Sequence, residues 1–217
     1  MGTETVVVLV ALVVAAAAWA FMFVPSRRGI WPRTWVAAGL LSATSLACLA
    51  AVGRLGEILG PVDVTELAIG LAVGAAWLVA THVGYRVITW LVPSFGAQVR
   101  DLYRLRDGDA SPSQMAGPII AMGFAEELLF RGVLQGVGGF AVGLAAYTAV
   151  QAFERKWALA LAALLGGAVW GALFAWRFGL VAPIAAHVLW TGVLTFLWPL
   201  GDEEPVTPAR AGSYASG

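Results

Sequence analysis

Residues 5–24 read TVVVLVALVVAAAAWAFMFV, an apolar run unbroken by any charge. A hydrocarbon core about 30 Å thick is crossed by roughly 20 residues of α-helix, so the run predicts a membrane span. Glu4 precedes it without a Lys or Arg, and SRRGIWPR follows at 26–33. A secretory signal carries its basic residues on the other side, so the run is expected to remain as a first span although Ala18-Trp19-Ala20 mimics a cleavage site.

The rest of the chain continues in the same vein. Of 217 residues, 60% are hydrophobic and 12% charged, with a mean hydropathy of +0.82; soluble domains hold about 45–50% and 25%. Further spans are predicted at 35–53, 67–92, 114–135, 140–153, 157–176 and 178–198, giving an all-α, polytopic transmembrane bundle of about seven helices. The segment 140–153 is short for a full crossing. The organisation expected is N-terminal helices and a cytoplasmic loop over 1–113, a core over 114–200, and a disordered cytoplasmic tail over 201–217, which is rich in Pro, Gly and Ser.

Charge is informative through its placement. Net charge is zero, with no basic patch to attract nucleic acid. Arg27, Arg28 and Arg33, then Arg100, Arg104 and Arg106, then Arg155 and Lys156 occupy alternate loops, whereas 54–66 holds Arg54 alone. This alternation predicts a multi-pass cell-membrane protein with its N-terminus outside and its tail in the cytoplasm. Cys48 is the single cysteine and excludes an internal disulfide or a CxxC motif.

Against this background the stretch GFAEELLFRG, 123–132, stands out. A charge at bilayer depth costs about 2.5–3.5 kcal/mol on insertion scales, so such residues pair or face a cavity. On a helix Glu127 and Arg131 are four apart and share a face, while Glu126 points about 100° away. One carboxylate is thereby neutralised and the other left free to accept a proton from water. A buried structural network of all three is the competing reading. His187 and Thr191 are likewise four apart in the last span, with Pro183 a turn earlier expected to disturb a backbone carbonyl. Tyr147 and Gln151 form a third such pair. Thr81, His82, Tyr85 and Arg86 read as a structural or rim cluster. Small residues recur at helix-packing spacing in Gly70/Gly74, Gly139/Gly143 and Gly167/Gly171. With two histidines, no HExxH and no Cys/His cluster, no metal site is expected, although Glu126, Glu127 and His187 leave a three-ligand zinc mechanism open.

In their order, FAEELLFRGVLQ (124–135), AAYTAVQ (145–151) and GGAVWGALFAWRFGLVAPIAAHVLW (166–190) resemble the three motifs of the CAAX-protease and bacteriocin-processing (CPBP) family, which includes the CAAX prenyl endopeptidases. The resemblance implies a helical bundle that hydrolyses a peptide bond of a membrane-associated or lipidated peptide. It implies Glu126 as activator of water, Glu127 and Arg131 as its support, and His187 as an oxyanion or orienting residue. Gln151 stands where the family carries histidine, Tyr147 where Phe is usual, and Thr191 where Asn or Asp is usual. A bundle that binds such a peptide without cutting it is the alternative. Expected partners are the lipid bilayer and a peptide or protein substrate, without cofactor. A small transporter is disfavoured, because no inverted repeat is visible and the polar residues crowd into the C-terminal part.

Overall fold

The computed structural model describes residues 1–23, 29–60, 62–103 and 111–201. Among them the chain is helical throughout, with no strand. Helix α1 spans Thr3–Phe23, α2 Trp31–Ala51, α3 Leu55–Leu59, α4 Val64–Leu91 and α5 Pro93–Tyr103. Helix α6, Pro112–Glu126, runs into a π-helical stretch Glu127–Gln135 and a last turn α7, Gly136–Gly138. Helix α8 is Phe140–Val150 with a 3-10 turn Gln151–Glu154, followed by α9 Trp157–Arg177 and α10 Val181–Phe196. The tail from Asp202 onward and the basic residues Arg27, Arg28, Arg104 and Arg106 lie outside the described residues.

Helices α1, α2, α4 and α9 are long and apolar enough to cross a membrane. Helices α8 and α10, with 11 and 16 residues, are shorter. With the continuous helical run from Pro112 to Gly138, which its π-helical stretch divides, they form the all-α membrane bundle expected from the sequence. The apolar character of these helices and the exposed Val13, Val36, Val79, Val83 and Val87 make this a multi-pass membrane protein.

Local sequence sets several boundaries. Asp63 caps α4 by accepting from Thr65 N at 2.8 Å. Ser111 and Gln114 form a capping box at α6, with Pro112 at its first position. Pro183 falls in the first turn of α10, because that helix begins at Val181 rather than 178. The first-turn N–H groups have no intrahelical partner in any helix. The expected disturbance of a carbonyl in the preceding turn is therefore not found.

Packing follows the small residues. A Cβ at Gly70 would lie 2.3 Å from the Ala182 carbonyl oxygen, and one at Gly74 2.8 Å from that of Ala186. Helices α4 and α10 thus touch backbone to backbone, which dispersion rewards where lipid offers no hydrophobic drive. Gly167 meets Tyr147, and Gly143 meets the Phe130 carbonyl and Gln135. Gly139 is different: with φ at 95° and open space around it, it makes the tight turn between α7 and α8 rather than a packing contact. The main core joins α1 (Ala11, Ala15, Trp19) to Leu128, Leu129, Phe130 and Val133 of the π-helical stretch. Ion pairs bind the ends: Arg177 with Glu66, Lys156 with Asp101, and Arg54 with Glu57, where Arg54 also donates to the Gly136 carbonyl. Cys48 is buried and free.

Candidate active site

The site is built on the junction of α6 and the π-helical stretch. Five-residue hydrogen-bonded turns are rare and frequent at functional sites. Here they carry Glu127, Arg131 and Gln135 along one buried stripe against α9. Arg131 Nη2 donates to the Gly167 carbonyl at 3.3 Å, and Gln135 Nε2 to the Gly171 carbonyl at 2.8 Å. A Cβ at Gly171 would lie 2.9 Å from Gln135 Oε1. The α9 glycines thus give the polar stripe both its space and its acceptors.

Glu127 is wholly buried, and its Oε2 lies 3.3 Å from Arg131 Nε. Its Oε1 lies 2.8 Å from His187 Nδ1. Arg131 stacks its guanidinium over the Tyr147 ring, 4.5 Å from the centroid, a cation–π contact that is strongest where water is excluded. Glu126 keeps 12% of its side chain accessible, and its Oε2 stands 3.7 Å from His187 Nε2. The Tyr147 hydroxyl lies near the Glu126 carboxylate. His187 therefore lies between two carboxylates, touching one and facing the other.

The imidazole is held by rings as well. Trp170 stacks on it at 5.8 Å and 18°, Tyr147 meets it edge-on at 6.4 Å, and Trp190 lies tilted at 6.4 Å. Trp190 Nε1 donates to Thr81 at 2.9 Å, and Thr81 to the Trp77 carbonyl. His82 stacks on Trp198 at 3.7 Å. The Thr81 cluster is thus a tie between α4 and α10, away from the carboxylates.

Glu126, His187, Gln151 and Thr191 line one cavity of about 180 Å³, closed on other sides by Trp19, Met22 and Thr34. A larger apolar cavity, about 420 Å³, adjoins it and shares Ile119 and Thr191 in its wall. Trp77, Tyr85, Phe95, Leu161 and Leu194 are among its lining. Of the residues singled out in the sequence, Glu126, Gln151, His187 and Thr191 meet at the small cavity, while Glu127, Arg131 and Tyr147 form the wall behind them. Among the described residues no three His, Cys, Asp or Glu side chains converge as a cation site. Glu127 is turned toward Arg131 and His187 rather than toward the cavity.

Two contributors escaped the sequence reading. Gln135 continues the stripe of 127 and 131 by four more residues, a signal that was legible. Trp170 lies one turn beyond Gly166 in an apolar run and carries no local mark of its contact with His187.

Comparison with known proteins bears on the same segment. Residues 110–193 match the family model described as Rce1-like, type II CAAX prenyl endopeptidase Rce1-like. No curated protein and no solved structure matches the chain. The matched segment holds every residue of the carboxylate, arginine and histidine cluster, and over that segment the chain is similar to the CAAX-protease-like (CPBP) family.

Proposed function

We propose that the protein is an intramembrane endopeptidase that hydrolyses a peptide bond of a membrane-associated or lipidated peptide, with Glu126 activating the water. The observation that carries this reading is the placement of Glu126 and His187 Nε2, 3.7 Å apart, on one cavity of a membrane bundle. Peptide hydrolysis needs a base for water and donors for the developing oxyanion. Glu126 is the base. Glu127 and Arg131 hold their charges against each other, so Glu126 is not consumed in an ion pair with the arginine. Tyr147 lies near the Glu126 carboxylate, and Gln151 and Thr191 offer polar hydrogens to the cavity. The adjoining apolar cavity suits the hydrophobic part of a membrane peptide.

The cavity is lined from the ends of α1 and α8 and the start of α2. Those ends adjoin the basic loops in sequence, which supports an opening on the cytoplasmic side of a cell membrane. No cofactor enters this mechanism.

A second reading is favoured by one feature. Gln151 cannot exchange a proton, and it stands in the cavity wall where the family carries histidine. A protein that binds the peptide without cutting it would have the same cavity. Purified protein in liposomes, given quenched libraries of lipidated and unlipidated peptides, separates the two. Turnover that falls by about 10²–10⁴-fold in Glu126→Gln supports the endopeptidase. Binding without turnover in the wild type supports the second reading, and equal turnover in the mutant removes Glu126 from the mechanism. A chelator in the same assay is expected to leave the rate unchanged.

A further inference from the structure

We infer that His187 acts as the second acceptor of the attacking water, beside Glu126, and that it is not an oxyanion donor. This rests on the endopeptidase reading. Glu127 has its charge matched by Arg131, and an ionised carboxylate is an acceptor only. The 2.8 Å contact with His187 therefore requires Nδ1–H to donate to Glu127 Oε1. In the neutral ring that this proposal requires, Nδ1 is the one donor nitrogen and Nε2 carries a lone pair. That nitrogen faces Glu126 Oε2 at 3.7 Å, on the cavity that both residues line. A water on the cavity side reaches both acceptors at about 2.8 Å, the usual hydrogen-bond length.

The arrangement fills a gap in the chemistry. Water offers two protons, and Gln151 can hold neither as a base. With His187 accepting, one water proton is bound by Glu126 and the other by Nε2, which aims an oxygen lone pair into the cavity. Glu126 takes its proton as the water oxygen bonds to the peptide carbon. The tetrahedral intermediate then breaks its C–N bond, and the leaving nitrogen takes that proton from Glu126. The new carboxylic acid loses its own proton to Nε2, from which it passes to solvent. The imidazolium formed in that step lies between two carboxylates. Donation to the oxyanion then falls to the Gln151 amide and the Thr191 hydroxyl.

The ring's tautomer can be read without any substrate. The chain has two histidines, so a His82→Gln protein with 15N-labelled histidine reports His187 alone by NMR in nanodiscs. Nε2 is expected at the frequency of an unprotonated nitrogen between pH 7 and 8. A protonated Nε2 in that range overturns the proposal and leaves the endopeptidase reading standing. Glu127→Gln provides a second arm, because Arg131 claims the amide oxygen and the NH2 then faces Nδ1. The proton is expected to move to Nε2, with kcat falling about 10³–10⁴-fold and KM unchanged, as wrong-tautomer substitutions do. Should that variant fail to fold, His187→Asn keeps a donor for Glu127 and lacks Nε2. Its kcat is expected to fall at least 100-fold, and wild-type kcat in it overturns the proposal. A wild type with a bare Nε2 and no turnover on any peptide refutes the endopeptidase reading instead.

Discussion

Arg131→Met tests whether the buried charges are a balanced pair. The substitution keeps an unbranched apolar stem and removes the guanidinium. Glu127 is wholly buried and Arg131 nearly so, with side-chain exposures of 0% and 3%. Removing one partner of a buried pair strands the other charge, at a cost of about 3–5 kcal/mol. The hydrogen bond to the Gly167 carbonyl and the cation–π contact with Tyr147 go as well. A charged hydrogen bond contributes about 1.5–3 kcal/mol and a desolvated cation–π contact about 2. These contributions overlap, because each describes removal of the same charge, so the pair value sets the scale. At about 2–4 °C per kcal/mol for a chain of this size, the melting temperature is expected to fall by roughly 6–20 °C. The assay is thermal unfolding in detergent, followed by circular dichroism, for wild type, Arg131→Met, Glu127→Gln and the double variant. Glu127→Gln removes the stranded charge, so the double variant is expected to be at least about 2 kcal/mol more stable than the sum of the single losses implies. Simple additivity in that cycle would refute the balanced-pair argument.

Three further outcomes follow from the packing. Gly70→Leu places a side chain where even a Cβ is 2.3 Å from the Ala182 carbonyl; α4 and α10 must separate, and a cysteine pair engineered across that contact is expected to lose its crosslink. Gly171→Ala sets a methyl 2.8 Å from the Phe140 ring and 2.9 Å from Gln135 Oε1; overpacking of this kind costs about 1–3 kcal/mol, read as a lowered melting temperature. The third concerns the exposed Arg54–Glu57 pair, in which the Arg54 hydrogen bond holds the Glu57 carboxyl below the usual range. A depressed carboxyl contributes stability above its unfolded value and loses it as pH falls through the folded one. The small melting-temperature difference between wild type and Glu57→Gln is therefore expected at pH 7 and to vanish by about pH 3; a difference that persists at pH 3 counts against it.

The amino-acid sequence by itself determined the class of molecule, because lipid solubility is a local property summed along each run. Unbroken apolar segments such as 5–24 left no alternative to membrane helices. Helical periodicity also determined that Glu127 and Arg131 share a face and Glu126 does not, since four-residue spacing acts within one element. The same reasoning was not enough for Gly139, whose backbone conformation is set by the turn to α8, or for Pro183, whose effect depends on where α10 begins. Nor did any local pattern mark the π-helical widening over Glu127–Gln135. Only the tertiary structure decided that His187, 60 residues along the chain, meets Glu127 through Nδ1 and shows its other nitrogen to Glu126. It also decided that Trp170 and Tyr147 enclose that ring. Such contacts depend on how closely helices cross, here on backbones brought together at Gly70 and Gly74 and on the room Gly167 leaves for Tyr147, and crossing geometry is a property of pairs of elements that neither one encodes alone.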